Sequence, residues 1–451
     1  MNTYETARMG YGEADITPDT VVELVGFFRP DNHSRGIRDP LKLQTMVWEY
    51  GGETACLITL DSLGFTVHLS NVLRGLIADL LHTGTDHVMT AFSHTHSAPN
   101  AAEEPEYFDF VCRRAQSAVK DALSSLSPAL ASWGIGENTV GLNRRTDSTD
   151  FDNRLGILSI TAPENESPRV LLLRVTAHAN ILSSDNYLIS ADYFGITRER
   201  LEARFGCKIM MMQGASGDVR PRFHQENTEY LEIHGYEAAE KGFSEEYQKI
   251  YRLQSQKALE QTAEAICQAV SAVLPTMEAE PVTHLTMKSV FSHFTADVPS
   301  LTQAERIADE ALKEAGIDGT DWLREVKRLD GEGISQQFSE VEIQYFSLND
   351  GCLCGIANEA MCRISIDAME AAETPLLFLN GYTNGCNSYL PTAEEYEKGG
   401  YEVLWSNLVY FPYHGRVMPF NRDTAGQLVE EVVQNWKTKV PERTAAAGSE
   451  G

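Results

Sequence analysis

The chain has 451 residues, of which 42% are hydrophobic and 23% charged, a globular composition that excludes wholesale disorder, collagen-like repeats and a disulfide scaffold. Its 37 Lys and Arg face 65 Asp and Glu, a formal net charge of −28. Such a field repels phosphate backbones and anionic membrane surfaces, so no nucleic-acid partner is expected.

Residues 44–50 and 54–61 read as strands parted by a Gly51-Gly52 turn. Leucines at 69, 73, 76, 80 and 81 give 67–82 a helical spacing. A short apolar strand, 87–93, runs into His94-Thr-His-Ser-Ala-Pro, and a second helix covers 104–125. A strand near 155–160 follows a polar loop that contains Asn143-Arg144-Arg145. Val170-Leu-Leu-Leu-Arg-Val-Thr-Ala is a buried strand leading to His178, and Lys208-Ile-Met-Met-Met-Gln ends at Gly214-Ala-Ser-Gly-Asp. Between about 225 and 345 the chain turns acidic, with helical patterning over 238–274 and 302–329 and a strand near 282–292. These helices are expected on the outside of the sheet. Strand patterning returns at 341–357 and 374–380, and the last residues read as a frayed tail.

The expected fold is α/β, a mixed sheet core flanked by helices, with one domain over 1–440 and a disordered tail at 441–451. Its strands end in polar, glycine-containing loops, so the loop edge of the sheet should carry the site. No stretch approaches the ~20 apolar residues of a transmembrane span, and the first residues lack a secretory signal's basic end and apolar run. Eight scattered cysteines form no Cys-x-x-Cys pair, so reduced thiols and a cytoplasmic location are expected. The sequence does not set the oligomeric state.

His94 and His96 sit where a strand ends. In an extended chain side chains two apart share a face, so both imidazoles could address one point. His178 also follows a long apolar strand, Glu359 follows Cys354-Gly-Ile-Ala-Asn358, and Tyr389 lies beyond the 374–380 strand. Two neutral imidazoles and a carboxylate make a half-open shell for Zn²⁺, leaving a position for water, and a phenol can serve as a weaker fourth ligand. Spacing alone does not choose between His94 and His96. Ser216 offers a rival, a serine nucleophile after a strand, but Gly214-Ala-Ser-Gly-Asp218 is not the Gly-x-Ser-x-Gly elbow.

At these residues the chain resembles the neutral, non-lysosomal ceramidases through their catalytic domain. Gly10-Tyr-Gly-Glu-Ala-Asp-Ile-Thr-Pro, Ser93-His-Thr-His-Ser-Ala-Pro, Leu142-Asn-Arg-Arg, Val175-Thr-Ala-His-Ala, Ala357-Asn-Glu and Tyr389-Leu-Pro-Thr-Ala-Glu-Glu-Tyr resemble that family's landmarks, in the same order. The resemblance implies zinc held by His94, His178, Glu359 and Tyr389, with His96 as a catalytic histidine at the scissile carbonyl or water. It also places Arg144 and Tyr401 in the site. The implied reaction is hydrolysis of a linear acyl amide, small or lipid-like, by a metal-activated water.

The chain departs from the family where Gly217-Asp-Val-Arg220-Pro replaces Gly-Asp-x-Ser-Pro, and no counterpart of the family's immunoglobulin-like domain or secretion signal is expected. Arg220 and Arg222, flanking Pro221, would suit a carboxylate or phosphate, so a polar or anionic acyl substrate rather than ceramide is expected. Asp192 and Asp218 could orient a ligand imidazole or simply cap loops. The alternative function is a catalytically inactive binding homologue that keeps the fold and metal site.

Overall fold

The computed structural model describes residues 6–165, 167–234 and 245–438. The expected tail at 441–451 and part of the expected 238–274 helix fall outside these residues. Three sheets meet at one place. The first runs Val88–Phe92, Glu53–Leu60, Lys42–Tyr50, Arg8–Asp15, Ser127–Pro128, and the second Lys208–Gln213, Pro168–Val175, Arg154–Thr161, Leu130–Glu137, Glu280–Pro281. The third runs Leu285–Asp297, Gln336–Leu348, Gly351–Gly355, Leu377–Asn380. Each is mainly antiparallel but ends in one parallel pair at the edge facing the other sheets. The mixed α/β expectation therefore describes the fold.

A shared apolar core joins the sheets, with Met46, Trp48, Leu57 and Met89 from the first, Leu158, Leu172 and Met212 from the second, and Met287, Phe346 and Phe378 from the third. Polar ties hold their edges in register. Gln44 Nε2 donates to the Ile209 carbonyl at 2.7 Å, and buried Arg174 donates to Asn380 Oδ1 at 2.8 Å while pairing with Asp152 at 2.8 Å. Arg74 reaches Glu342 at 2.6 Å. Burying such charges is tolerable only because each is paired and hydrogen-bonded.

Helices cover the outer faces. Val67–Leu81 starts at Thr66, whose hydroxyl accepts from Leu69 N, and stops at His82 in the left-handed region. Pro105–Ser124 lies so close to the first strand that a side chain at Gly10 or Gly12 would strike the Ala122 or Ala118 carbonyl at 1.8 or 1.9 Å. That close approach explains the Gly-x-Gly at the start of the chain. Tyr193–Phe205 and Glu245–Val273 pack on the second sheet, and Cys362–Ala372 and Thr424–Lys437 on the third.

The acidic 302–329 region is two helices, Leu301–Ala315 and Thr320–Gly331, broken at Gly316 in the left-handed region. They do not pack on a sheet face as expected. Ile307, Trp322 and Val326 instead bury against Leu408, Val417 and Met418, the segment that forms one wall of the site. Among the described residues no helix is long and apolar enough to cross a membrane.

Candidate active site

The parallel edge strands all run their C-terminal ends toward one point, the arrangement in which α/β sheets place their ligands. His94 follows Val88–Phe92, His178 follows Pro168–Val175, Ser216 follows Lys208–Gln213, and Tyr382 follows Leu377–Asn380. Glu359 and Tyr389 are direct partners in a two-residue parallel ladder, Glu359–Ala360 with Tyr389–Leu390.

His94 and His178 are buried and aim at the same carboxylate oxygen. His94 Nε2 lies 3.3 Å and His178 Nε2 3.4 Å from Glu359 Oε2. Each ring is held from behind by a backbone carbonyl: His94 Nδ1 by Leu63 O at 2.6 Å, His178 Nδ1 by Ser216 O at 2.7 Å. An accepting carbonyl requires the proton on Nδ1, which leaves the Nε2 lone pairs facing inward. His178 Nε2 has no hydrogen-bond partner there although it is buried. An orphaned buried nitrogen beside a carboxylate oxygen calls for a shared electrophile, and the donor set of imidazoles, carboxylate and nearby phenol fits a divalent cation of the zinc type.

His96 differs from these two. Its ring lies 5.0 Å from that of His94 and 5.7 Å from that of His178, and the three residues' ligand atoms lie within 4.8 Å of one another. Both of its ring nitrogens are buried without a partner. Ligating histidines usually have the second nitrogen fixed; His94 and His178 meet that condition and His96 does not. Burial, then the neighbouring imidazoles of His94 and His178, hold His96 well below the ordinary histidine range.

The two histidines converge by a route other than extended alternation. His94 has φ 60°, and its N–H donates to Ser62 O at 2.8 Å, so the chain turns sharply between the two rings. A non-glycine residue in that region is strained and persists only where its surroundings fix it.

Glu359 is buried, which would raise its carboxyl, but the facing imidazoles of His94 and His178 hold it well below the usual carboxylate range. Two tyrosines that sequence reading did not single out donate to it: Tyr410 to Oε1 at 2.6 Å and Tyr382 to Oε2 at 3.3 Å. Tyr382 lies in the Asn380-Gly-Tyr-Thr-Asn-Gly loop, where it has φ 53°, and that loop's composition was the available signal. Tyr410 had none, since it sits in an aromatic helix, Asn407–His414, indistinguishable from core.

Tyr389 and Tyr401 stand edge to face, ring centroids 6.0 Å apart. Tyr401 opens a single π-helical turn, Tyr401–Trp405, of the kind that recurs at functional sites. Burial, with the Glu359 carboxylate next, pushes the Tyr389 phenol well above its ordinary range. Arg144 pairs with Glu402 at 2.8 Å. Although burial opposes its charge, Tyr389 and Glu402 nearby keep the guanidinium protonated.

The expected anion fork is not presented to the site. Arg220 donates to the Arg144 carbonyl and to Gln225 Oε1, both at 2.8 Å. Arg222 forms an exposed pair with Glu226, one helical turn on, at 2.7 Å. Neither lines the cavity. Asp192 and Asp218 likewise hold loops rather than ligand imidazoles. Asp192 caps Tyr193–Phe205 and accepts from Leu182 N at 2.8 Å, and Asp218 accepts from Cys362 N at 2.7 Å and Asn143 Nδ2 at 2.9 Å. Ser216 is buried, and its hydroxyl donates to the Tyr382 oxygen at 3.2 Å.

A cavity of about 230 Å³ opens on the cluster. His94, His96, Glu359 and Tyr389 line it along with apolar Leu24, Val25, Phe27, Phe65 and Val409, and Phe28 at its rim is 68% exposed.

The fold matches the crystal structure of neutral ceramidase from Pseudomonas aeruginosa with a TM-score of 0.66, over 98% of this chain and 76% of that one, at 20% sequence identity. A structure of a ceramidase complexed with C2 matches with the same TM-score, over 98% of this chain and 77% of that one, at 17% identity. No protein-family model matches the sequence, and neither does any curated protein. At such identities the likeness shows a shared fold, the one that the motif resemblance implied.

Proposed function

We propose that the protein is a zinc-dependent hydrolase that cleaves an acyl amide, or the corresponding ester, in the manner of the ceramidases whose fold it shares. The observation that carries this reading is the convergence of His94 Nε2 and His178 Nε2 on one Glu359 oxygen, at 3.3 and 3.4 Å, beneath a largely apolar cavity. His94, His178 and Glu359 would hold the metal, with Tyr389 as a fourth ligand. When bound, zinc supplies Lewis acidity and brings the pKa of a coordinated water toward ~7.

The chain's own residues do the rest. The cavity's apolar wall takes the acyl chain and excludes bulk water, which strengthens every polar contact at its floor. His96, unpartnered at both ring nitrogens, would take the proton lost by the attacking water and return it to the leaving amine. In this reading Tyr401, which lines the cavity, would donate to the oxygen on which negative charge develops, an effect worth ~3–4 kcal/mol per donor in comparable sites, with Arg144, paired to Glu402, behind it. The anionic acyl substrate expected from Arg220 and Arg222 finds no support, because both side chains are engaged away from the cavity; an apolar acyl chain fits better.

The test is elemental analysis and exhaustive chelation of the purified protein, with turnover followed on a panel of amides and esters of graded acyl length. Activity lost on chelation, restored by zinc and absent from His178→Ala supports the reading. Turnover that persists after verified metal removal would overturn it.

A further inference from the structure

Two glutamates, Glu23 and Glu359, are among the residues that line the cavity, and no lysine or arginine is. Glu359 is committed to the imidazoles and to Tyr382 and Tyr410. Glu23 is committed to nothing through its side chain, since among the described residues its carboxylate has no hydrogen bond or ion pair.

Its backbone, by contrast, is fastened on several sides. The Glu23 N–H donates to Glu104 Oε1 at 3.0 Å, its carbonyl accepts from Asn100 N at 3.1 Å, and it bridges to His33. A half-buried carboxylate on a rigid wall, with a second carboxylate against its own peptide N–H, is a poor neighbour for an anion and a good one for a cation. His96, nine-tenths buried and with both ring nitrogens unpartnered, lines the same cavity, which therefore offers contacts to a polar ligand group as well as to an apolar chain.

We propose that the amide hydrolysed here carries a cationic group on its amine side, and that Glu23 is the residue that selects for it. The inference rests on the hydrolase reading. Glu23 takes no part in bond cleavage; it binds the charge, so its removal raises KM for a cationic substrate with kcat little changed. At a partly exposed site one such pair is worth about two- to fivefold, and more where the cavity sheds its water.

The experiment compares three amides of one acyl group, N-decanoyl-ethylenediamine, N-decanoyl-ethanolamine and N-decanoyl-glycine, which differ in the charge of the amine part. Binding is measured by calorimetry and turnover by release of decanoate. Affinity should fall from cation to neutral to anion, more steeply at low salt, and Glu23→Gln should bring the cation down to the neutral compound without affecting the latter. Equal or reversed affinity, or an order that Glu23→Gln leaves intact, would overturn the proposal. Binding reads the charge preference even if none of the three is cleaved, whereas failure of the hydrolase reading shows as an absence of turnover with the binding order kept.

Discussion

Tyr410 carries the sharpest test of the site, because nothing but the fold brings it to Glu359. Its hydroxyl donates to Oε1 at 2.6 Å, leaving Oε2 to the two imidazoles and Tyr382. A hydrogen bond to a charged group contributes about 1.5–3 kcal/mol, and outer partners of this kind change metal affinity by about 10- to 100-fold when lost. Tyr410→Phe keeps the ring that stacks on His414 at 6.4 Å and removes only the oxygen. We expect zinc affinity, measured by competition with a chromophoric chelator, to fall about tenfold or more, with kcat reduced in the metal-saturated enzyme. Tyr413→Phe, a change at the cavity rim with no hydrogen bond to Glu359, should leave zinc affinity within about twofold of the parent. Equal zinc affinity in Tyr410→Phe and the parent would show that Oε1 is not held by the phenol and that the ligand geometry is maintained otherwise.

Ser216→Ala should keep activity within about tenfold of the parent, and a serine-directed phosphonate should not inactivate the enzyme. What holds His178 is the Ser216 carbonyl, not its hydroxyl; stoichiometric labelling of Ser216 with loss of turnover would revive the serine nucleophile. Gly217→Ala places a methyl carbon 2.5 Å from the Glu359 carbonyl, so it should lower the melting temperature and abolish metal binding together, and a crystal structure of an active Gly217→Ala protein would refute the close approach. Burial raises the Asp192 carboxyl from 3.8 to about 7. The folded state therefore holds the proton more tightly than the unfolded one, so this group's contribution to stability is full below about pH 4 and is lost as pH rises through 7. Melting temperatures between pH 4 and 8 should decline less in Asp192→Asn than in the parent, and matching slopes would contradict this.

The sequence discloses strand ends better than it discloses what happens just past them. Apolar runs such as 170–175 and 208–213 are continuous because both faces of those strands are covered, and that continuity placed His178 and Ser216 correctly at the sheet edge. The turn at His94 was not legible. Alternation predicted that His94 and His96 share a face, and they do meet, but through a left-handed residue that no propensity favours at histidine. Nor could the groups behind the imidazoles be read, since both rings are fixed by backbone carbonyls, Leu63 O and Ser216 O, which any residue type supplies. Asp192 and Asp218, candidates for that role or for loop capping, turn out to hold loops. Arg220 reads as a candidate fork because the resemblance makes its loop a site loop, whereas here it braces the carbonyl of Arg144.

Because the imidazoles are held by main-chain carbonyls of the loops that leave the sheets, the proposed metal site should exist before the metal arrives. Zinc fingers fold only around their ion, since their ligands have no other support. Here the His94 ring is tied to Leu63 and its N–H to Ser62, while the His178 N–H donates to Val219 O at 3.0 Å and its ring nitrogen to Ser216 O. The positive φ of His94 costs about 1–3 kcal/mol, and it is sustained by those tethers rather than by coordination. Removing zinc should thus lower the melting temperature only by the linkage term, about 4 kcal/mol of stability at a thousandfold excess over the dissociation constant, with far-ultraviolet dichroism unchanged. Hydrogen exchange at residues 92–97 and 176–180 reads the point directly. Protection there should be the same, within about threefold, in metal-free and zinc-loaded protein. Loss of protection by orders of magnitude on chelation would mean that the ion, and not the three-sheet junction, builds the site.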